Sequence, residues 1–224
     1  MNIKFLSLGS GSSGNCYYLG TDTYSILIDA GVGIRTIKKI FKEYSLSLST
    51  VRAVFITHDH ADHIKAAGHL AGKHNIPIYS TPEVHQGMRR SYCMTEKIDN
   101  AHAKFINKGE TITVEDFEIT CFEVPHDGTD NVGYTIRIDG KTFSFLTDIG
   151  HITETAAAHI VQSNYLVLEA NYDKTMLQIG PYPQYLKERI AGPNGHLCNA
   201  DAAQFLAENF PQGLKYLWLC HLSK

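Results

Sequence analysis

The sequence predicts an α/β protein built from two sheets covered by helices, and three observations predict it. Short apolar runs bounded by Gly, Asp and Asn crowd the first third, as hairpin strands do. Strand and helix patterns then alternate through the rest of the chain, which suggests sheets covered by helices. No low-complexity segment, long linker or short repeat breaks the pattern, so one domain spanning 1–224 is expected. The length of 224 residues, 43% of them hydrophobic, is enough for a substantial core.

Strands are expected at residues 3–8, 16–19 and 25–29, separated by Gly-rich turns. Residues 33–44 carry Ile34, Ile37, Ile40, Phe41 and Tyr44 at helical spacing. The other face of that helix bears Arg35, Lys38, Lys39 and Lys42, which reads as solvated surface. Residues 51–56 form a buried-type strand, 61–74 a helix, 76–80 a strand, and 82–90 a helix opened by Pro82. The middle is strand-rich, at 111–114, 117–124, 132–138 and 142–146, with Asp139-Gly140 as a two-residue hairpin turn. A helix over 153–160, a strand over 165–169, helices over 183–190 and 199–209 and a strand over 216–220 complete the chain.

Composition excludes several classes. The net charge is −3 and the pI near 6.4, against a protein that grips nucleic acid by bulk positive charge. No run of 18 apolar residues offers a membrane span, and the apolar start of the chain is too short for a signal peptide. Cys16, Cys93, Cys121, Cys198 and Cys220 are odd in number and lack metal-clip or redox spacing, which fits a reducing cytoplasm. The unusual figure is 12 histidines beside a single Trp, so the chemistry is sought there.

One motif is misleading. Residues 9–14, GSGSSG, fit the dinucleotide fingerprint G-x-G-x-x-G, but they lead into the strand-like NCYYL rather than a helix. Without a helix N-terminus there is no seat for a pyrophosphate. A turn between strands, or a loop whose backbone N–H groups border a site made elsewhere, remains.

The strong signal is His58-Asp59-His60-Ala61-Asp62-His63, an H-x-H-x-D-H run just after a hydrophobic strand. His58 and His60 can turn two imidazoles toward one ion, and Asp62 and His63 can face a second. Imidazole with carboxylate suits Zn²⁺, Mn²⁺ or Fe²⁺. His126, Asp148 and His221 each follow an apolar strand, where mixed folds present functional groups. Alone, each is more often a turn or capping residue; with the first motif they complete two coordination spheres.

These residues resemble the metallo-β-lactamase superfamily, whose series Asp, H-x-H-x-D-H, His, Asp or Cys, His matches Asp29, His58, His60, Asp62, His63, His126, Asp148 and His221. The resemblance covers essentially the whole chain and implies an αββα sandwich with a dinuclear metal site at the sheet edge. It implies that His58, His60 and His126 hold one metal, that Asp62, His63 and His221 hold the other, and that Asp148 bridges them. Asp29 would orient the metal loop from behind. True class-B β-lactamases carry Cys where this chain has Asp148. The carboxylate resembles hydrolases of phosphodiesters, thioesters and lactones instead.

Within that set the chain is similar to the bacterial YycJ/WalJ-like branch of DNA exonucleases. The segments that carry this are residues 9–16 (GSGSSGNC), 168–173 (LEANYD), 182–189 (YPQYLKER), 195–199 (GHLCN) and 221–224 (HLSK). Cys198 departs from the branch, which has Ser there. The chain also stops three residues after His221, where members continue into a further helix, so a C-terminus cut short is expected.

The implied reaction is attack by a hydroxide bridging two ions on a phosphodiester of nucleic acid, DNA foremost, aimed by Asp62 and Asp148. Glu169 and His196 are candidates for handling the leaving-group proton, against readings as a surface acid and a loop histidine. Tyr182 and Tyr185 could stack on bases while Lys187 and Arg189 hold phosphates. Equally, the tyrosines with Leu186 could be the packed face of a helix. A thioester or lactone hydrolase on the same metal centre is the alternative function. The remaining histidines read as structural or exposed.

Overall fold

The structure is a computed structural model that describes residues 1–223 and divides into two compact units. Unit one comprises Met1–Asn107, Ile112–Asp116 and Gly128–Asp130; unit two comprises Lys108–Thr111, Phe117–Asp127 and the chain from Asn131 onward. Lys224, the last residue of the HLSK segment, lies outside the described residues.

In unit one, β1 (Lys4–Gly9), β2 (Cys16–Gly20), β3 (Ser25–Ile28), β4 (Val51–Phe55), β5 (Ile78–Ser80) and β6 (Ala103–Phe105) form one sheet in that order. The first two pairings are antiparallel and the next three parallel. β2 and β3 are buried throughout, and they read as near-continuous apolar runs because neither face meets water. α1 (Ile34–Glu43) buries Ile37 and Phe41 and leaves Arg35, Lys38, Lys39 and Lys42 exposed. The core gathers Tyr18, Leu27, Ile37, Phe41, Val54, Ile64 and Leu70, with the Tyr18 and Phe41 rings edge to face at 5.6 Å.

The helix expected over 61–74 is broken into α2 (Ala61–Ile64) and α3 (Ala67–His74). The cause is tertiary. Ala66 N–H donates to Ala30 C=O at 2.8 Å, and Ala30 N–H donates to His63 C=O at 2.8 Å. These backbone groups, which a continuous helix would use internally, hold the turn against the end of β3 instead. α4 (Pro82–Arg90) starts at its proline, with Thr81 as the cap. β6 escaped the sequence reading; three residues are too few to show a period.

β7 (Thr111–Val114) begins in unit two and continues in unit one. In unit two, β8 (Phe117–Glu123), β9 (Val132–Ile138), β10 (Lys141–Leu146), β11 (Tyr165–Glu169) and β12 (Tyr216–Cys220) run in the order β12-β11-β10-β9-β8. Asp139 and Gly140 join β9 to β10 with φ of 50° and 68°, the positive pair that a type I′ turn demands. β10, β11 and β12 are parallel, so their C-terminal ends lie side by side, with Leu146 opposite Leu168 and Glu169 opposite Cys220. The helices are α5 (Glu154–Val161), α6 (Lys174–Ile179), α7 (Gln184–Ala191) and α8 (Asn199–Glu208). Phe122, Leu146, Ile160, Leu166, Leu168 and Leu197 lie in one core cluster. Among the described residues no helix is long and apolar enough to cross a membrane.

Candidate metal centre

In unit one the parallel pairing of β3 with β4 sets Ile28 opposite Phe55, so Asp29 and the loop that opens at Thr57 leave the same sheet edge. Backbone bonds pin that loop: Asn15 N–H reaches Asp62 C=O at 2.7 Å and Gly31 N–H reaches Asn15 C=O at 2.8 Å. Gly31 must be glycine, because a Cβ there would lie 1.5 Å from the Asp62 carbonyl oxygen.

Asp29 is fully buried with φ of 60°, and both of its oxygens are used. Oδ1 accepts from Thr57 N–H at 2.8 Å and Oδ2 lies 2.7 Å from His63 Nδ1. Burial pushes the Asp29 carboxyl up from its usual range, and His63 and Thr57 pull against it. A proton at His63 Nδ1 leaves Nε2 with its lone pair, which accepts from Asn15 Nδ2 at 2.9 Å. The Thr57 hydroxyl links Asp29, at 3.0 Å, to His58 Nδ1, also at 3.0 Å. His58 Nε2 and His60 Nδ1 are 3.1 Å apart, and the His58 ring centroid is 4.0 Å from that of His63. Asp62 Oδ2 lies 3.6 Å from His63 Nε2.

In unit two, the ends of β10, β11 and β12 bring Asp148, Glu169 and His221 together, and the turn before α8 adds His196. One donor atom from each of these four residues lies within 4.8 Å of the others. Glu169, fully buried, is the hub. Its Oε1 accepts from His196 Nδ1 at 2.7 Å and His221 Nδ1 at 2.8 Å. Its Oε2 accepts from Ile149 N–H at 2.8 Å and Leu197 N–H at 3.1 Å. Asp148 Oδ2 stands 3.0 Å from His221 Nδ1. Burial alone would lower the pKa of His221, but the charges of Asp148 and then Glu169 outweigh it and lift it to about 10. His126 donates from Nδ1 to Gly195 C=O at 2.8 Å, and its Nε2 lies 3.6 Å from Asp148 Oδ2. Asn171 Nδ2 holds the His221 carbonyl at 2.7 Å.

The donor set fits divalent transition ions. Imidazoles and carboxylates predominate, and histidines 58, 63, 126 and 221 are tied through Nδ1 to a carboxylate, carbonyl or hydroxyl, the usual arrangement behind a metal-bound ring.

The remaining residues singled out in the sequence fall as follows. Arg189 makes a forked pair with Asp127, Nε at 2.5 Å and Nη2 at 3.2 Å, one residue from His126. Lys187 Nζ donates to Gln178 C=O at 2.7 Å. Tyr182 and Tyr185 are 41% and 73% exposed, so neither belongs to a packed helix face. Cys198 occupies the N-cap of α8, its Sγ accepting from Asp201 N–H at 3.4 Å, and so does the capping work a serine would do there. GSGSSG runs into β2, not a helix, and Gly11 N–H is held by Asn15 Oδ1 at 2.9 Å. Thr57, Asn15, Asn171 and Asp59 were not singled out in the sequence. Thr57 abuts the H-x-H-x-D-H run, and Asn15 ends the Gly/Ser segment.

Comparison with known proteins agrees with this geometry. The family described as beta-lactamase superfamily domain matches residues 24–217. Exodeoxyribonuclease YycJ of Bacillus anthracis is 33% identical over 223 residues, covering 100% of this chain and 83% of that protein. Exodeoxyribonuclease WalJ of Streptococcus pneumoniae is 34% identical over 224 residues with the same coverage. The crystal structure of the metallo-beta-lactamase fold protein YhfI from Bacillus subtilis superposes with a TM-score of 0.71 at 21% identity, covering 100% of this chain and 88% of that one. The chain therefore belongs to the metallo-β-lactamase superfamily of hydrolases and has its αββα fold.

Proposed function

We propose that this protein is a dinuclear metal-dependent phosphodiesterase that acts on nucleic acid, DNA foremost, as an exonuclease of the cytoplasm. The observation that carries the reading is the carboxylate Asp148 among Glu169, His196 and His221, all at the ends of parallel strands or beside them. Full-length similarity to proteins named exodeoxyribonucleases gives the substrate class. Among the described residues no cysteine is in a disulfide, which accords with a reducing compartment.

His58, His60 and His126 would hold one ion, and Asp62, His63 and His221 the other, with Asp148 shared between them. Two such ions, Zn²⁺ or Mn²⁺ with Fe²⁺ also compatible, supply an acidified water and positive charge against the phosphoryl oxygens. Asp29 keeps His63 in the tautomer with the proton at Nδ1, so that Nε2 presents its lone pair. Glu169 holds the Nδ1 of His221 in the same way, and it orients His196, which would give a proton from Nε2 to the leaving oxygen when both of its ring nitrogens carry one. Lys187, Arg189, Tyr182 and Tyr185 extend along one helix and its entry, where a strand's phosphates and bases would lie.

The test is turnover of labelled single- and double-stranded DNA, RNA, a thioester and a lactone by protein loaded with Zn²⁺ or Mn²⁺. Nucleotide release from DNA is expected. Hydrolysis of the thioester or lactone with both nucleic acids intact would transfer the same centre to small-ester chemistry.

A further inference from the structure

Asp59 lies between His58 and His60 in the sequence, yet Thr129 occupies its carboxylate. Oδ1 accepts from Thr129 N–H at 2.9 Å and Oδ2 from the Thr129 hydroxyl at 2.5 Å. A second tie lies beside it: Thr81, the cap of α4, donates from Oγ1 to Asp130 Oδ2 at 2.7 Å. Gly87 on α4 completes the arrangement. A Cβ there would lie 2.0 Å from Asp59 Oδ2 and 2.7 Å from Thr129 Oγ1, so only glycine leaves room for the fork. All of these residues belong to unit one.

The residues so gripped, Gly128–Asp130, follow His126 and Asp127 directly. Their composition, Gly-Thr-Asp-Asn through residue 131, is that of a turn with little preference of its own. Fixing such a segment in advance removes ordering entropy from any event that needs His126 in place. We infer that Asp59 is a positioning residue: its carboxylate clamps Thr129 and so fixes the segment that carries His126, and Gly87 keeps the space the clamp requires. The inference rests on His126 being a metal ligand.

Asn at position 59 separates positioning from charge. Its Oδ1 still accepts from Thr129 N–H, and its Nδ2 donates to the hydroxyl, so both bonds survive without the charge. The experiment compares native protein with Asp59→Ala, Asp59→Asn, Gly87→Ala and His126→Ala. It measures Mn²⁺ affinity by calorimetry, hydrogen exchange at residues 126–131, and Tm to show that each variant is folded. Asp59→Ala and Gly87→Ala are expected to weaken Mn²⁺ binding at one site by about 10–100-fold and to speed exchange at 126–131. Asp59→Asn is expected to stay within about threefold of native, because the clamp is kept. Ala is the better helix former, so a loss in Gly87→Ala comes from the added methyl, not from the helix. Equal losses in Asp59→Asn and Asp59→Ala would overturn the inference in favour of a charge role, and unchanged exchange in Asp59→Ala would remove the clamp altogether. Unchanged Mn²⁺ affinity in His126→Ala would instead overturn the ligand reading, while the exchange data would still judge the clamp.

Discussion

Glu169 holds His196 by a 2.7 Å hydrogen bond from Nδ1, and it does so from a fully buried position at the end of β11. The same oxygen takes His221 Nδ1 at 2.8 Å. One carboxylate therefore sets the direction of two rings with different proposed duties, proton delivery and metal binding.

If His196 delivers the proton, its loss should depend on the leaving group. His196→Ala is expected to lower kcat on DNA by about 100- to 10,000-fold. On a 4-nitrophenyl phosphodiester, whose leaving group needs no proton, the loss should be under about tenfold. Glu169→Gln should show the same preference more weakly. Steady-state kinetics on both substrates checks this, and equal losses on the two would assign His196 to another task.

If Asp148 is shared between two ions as proposed, Asp148→Asn should weaken both sites. Turnover is expected to fall by at least about 1,000-fold, and the metal content of the purified protein to drop from two ions toward one. Mass spectrometry of the bound metal together with far-UV circular dichroism separates this from unfolding.

Much of the candidate centre is legible in the sequence because its densest part is contiguous: three histidines and an aspartate crowd residues 58–63, just past one strand. His126, Asp148 and His221 stand out in the sequence as polar residues just past apolar strands. The hub role of Glu169 was not legible, since its donors come from residues 149, 196, 197 and 221 and meet only through parallel strand pairing. The Asp59 clamp closes a separation of 70 residues and leaves no local pattern. The fold was hidden in the same places. α6 buries only Leu177 and is set by the Asp173 cap, so it shows no periodicity. The break at Lys65 and Ala66 sits inside an unbroken helical pattern because Ala30 imposes it from outside.

Arg189 is half exposed and paired with Asp127, so Arg189→Ala should change stability by no more than about 1 kcal/mol. Its effect should fall on the polymer. DNA cleavage is expected to weaken, a small chromogenic phosphodiester to be unaffected, and the slope of log affinity against log salt to shrink by about 0.7 for single strands. Cleavage rates and binding across a salt series test this.

Acid should loosen the fold through His85 and His159. His85 is buried with Nε2 donating to Lys104 C=O at 2.9 Å, and burial lowers its pKa. His159 stacks on Phe122 at 3.8 Å and is lowered by burial and then by Arg137. The unfolded chain takes up these protons near the ordinary value of 6.5, whereas the folded chain resists until lower pH. Their stability contribution is therefore complete above about pH 6.5 and is lost as the pH falls through the folded pKa values. Urea midpoints between about pH 7.5 and 5.5 should decline less steeply in His85→Gln, which keeps a donor for the carbonyl. Parallel declines would show that His85 carries none of the effect.

The proposed DNA phosphodiesterase needs two ions acting together. The most direct measurement is nucleotide release from labelled DNA as metal-free protein is titrated with Mn²⁺ or Zn²⁺. The expected result is low activity up to one ion per chain and a plateau at two. Full activity at a single ion, or intact DNA at two or more, would contradict it.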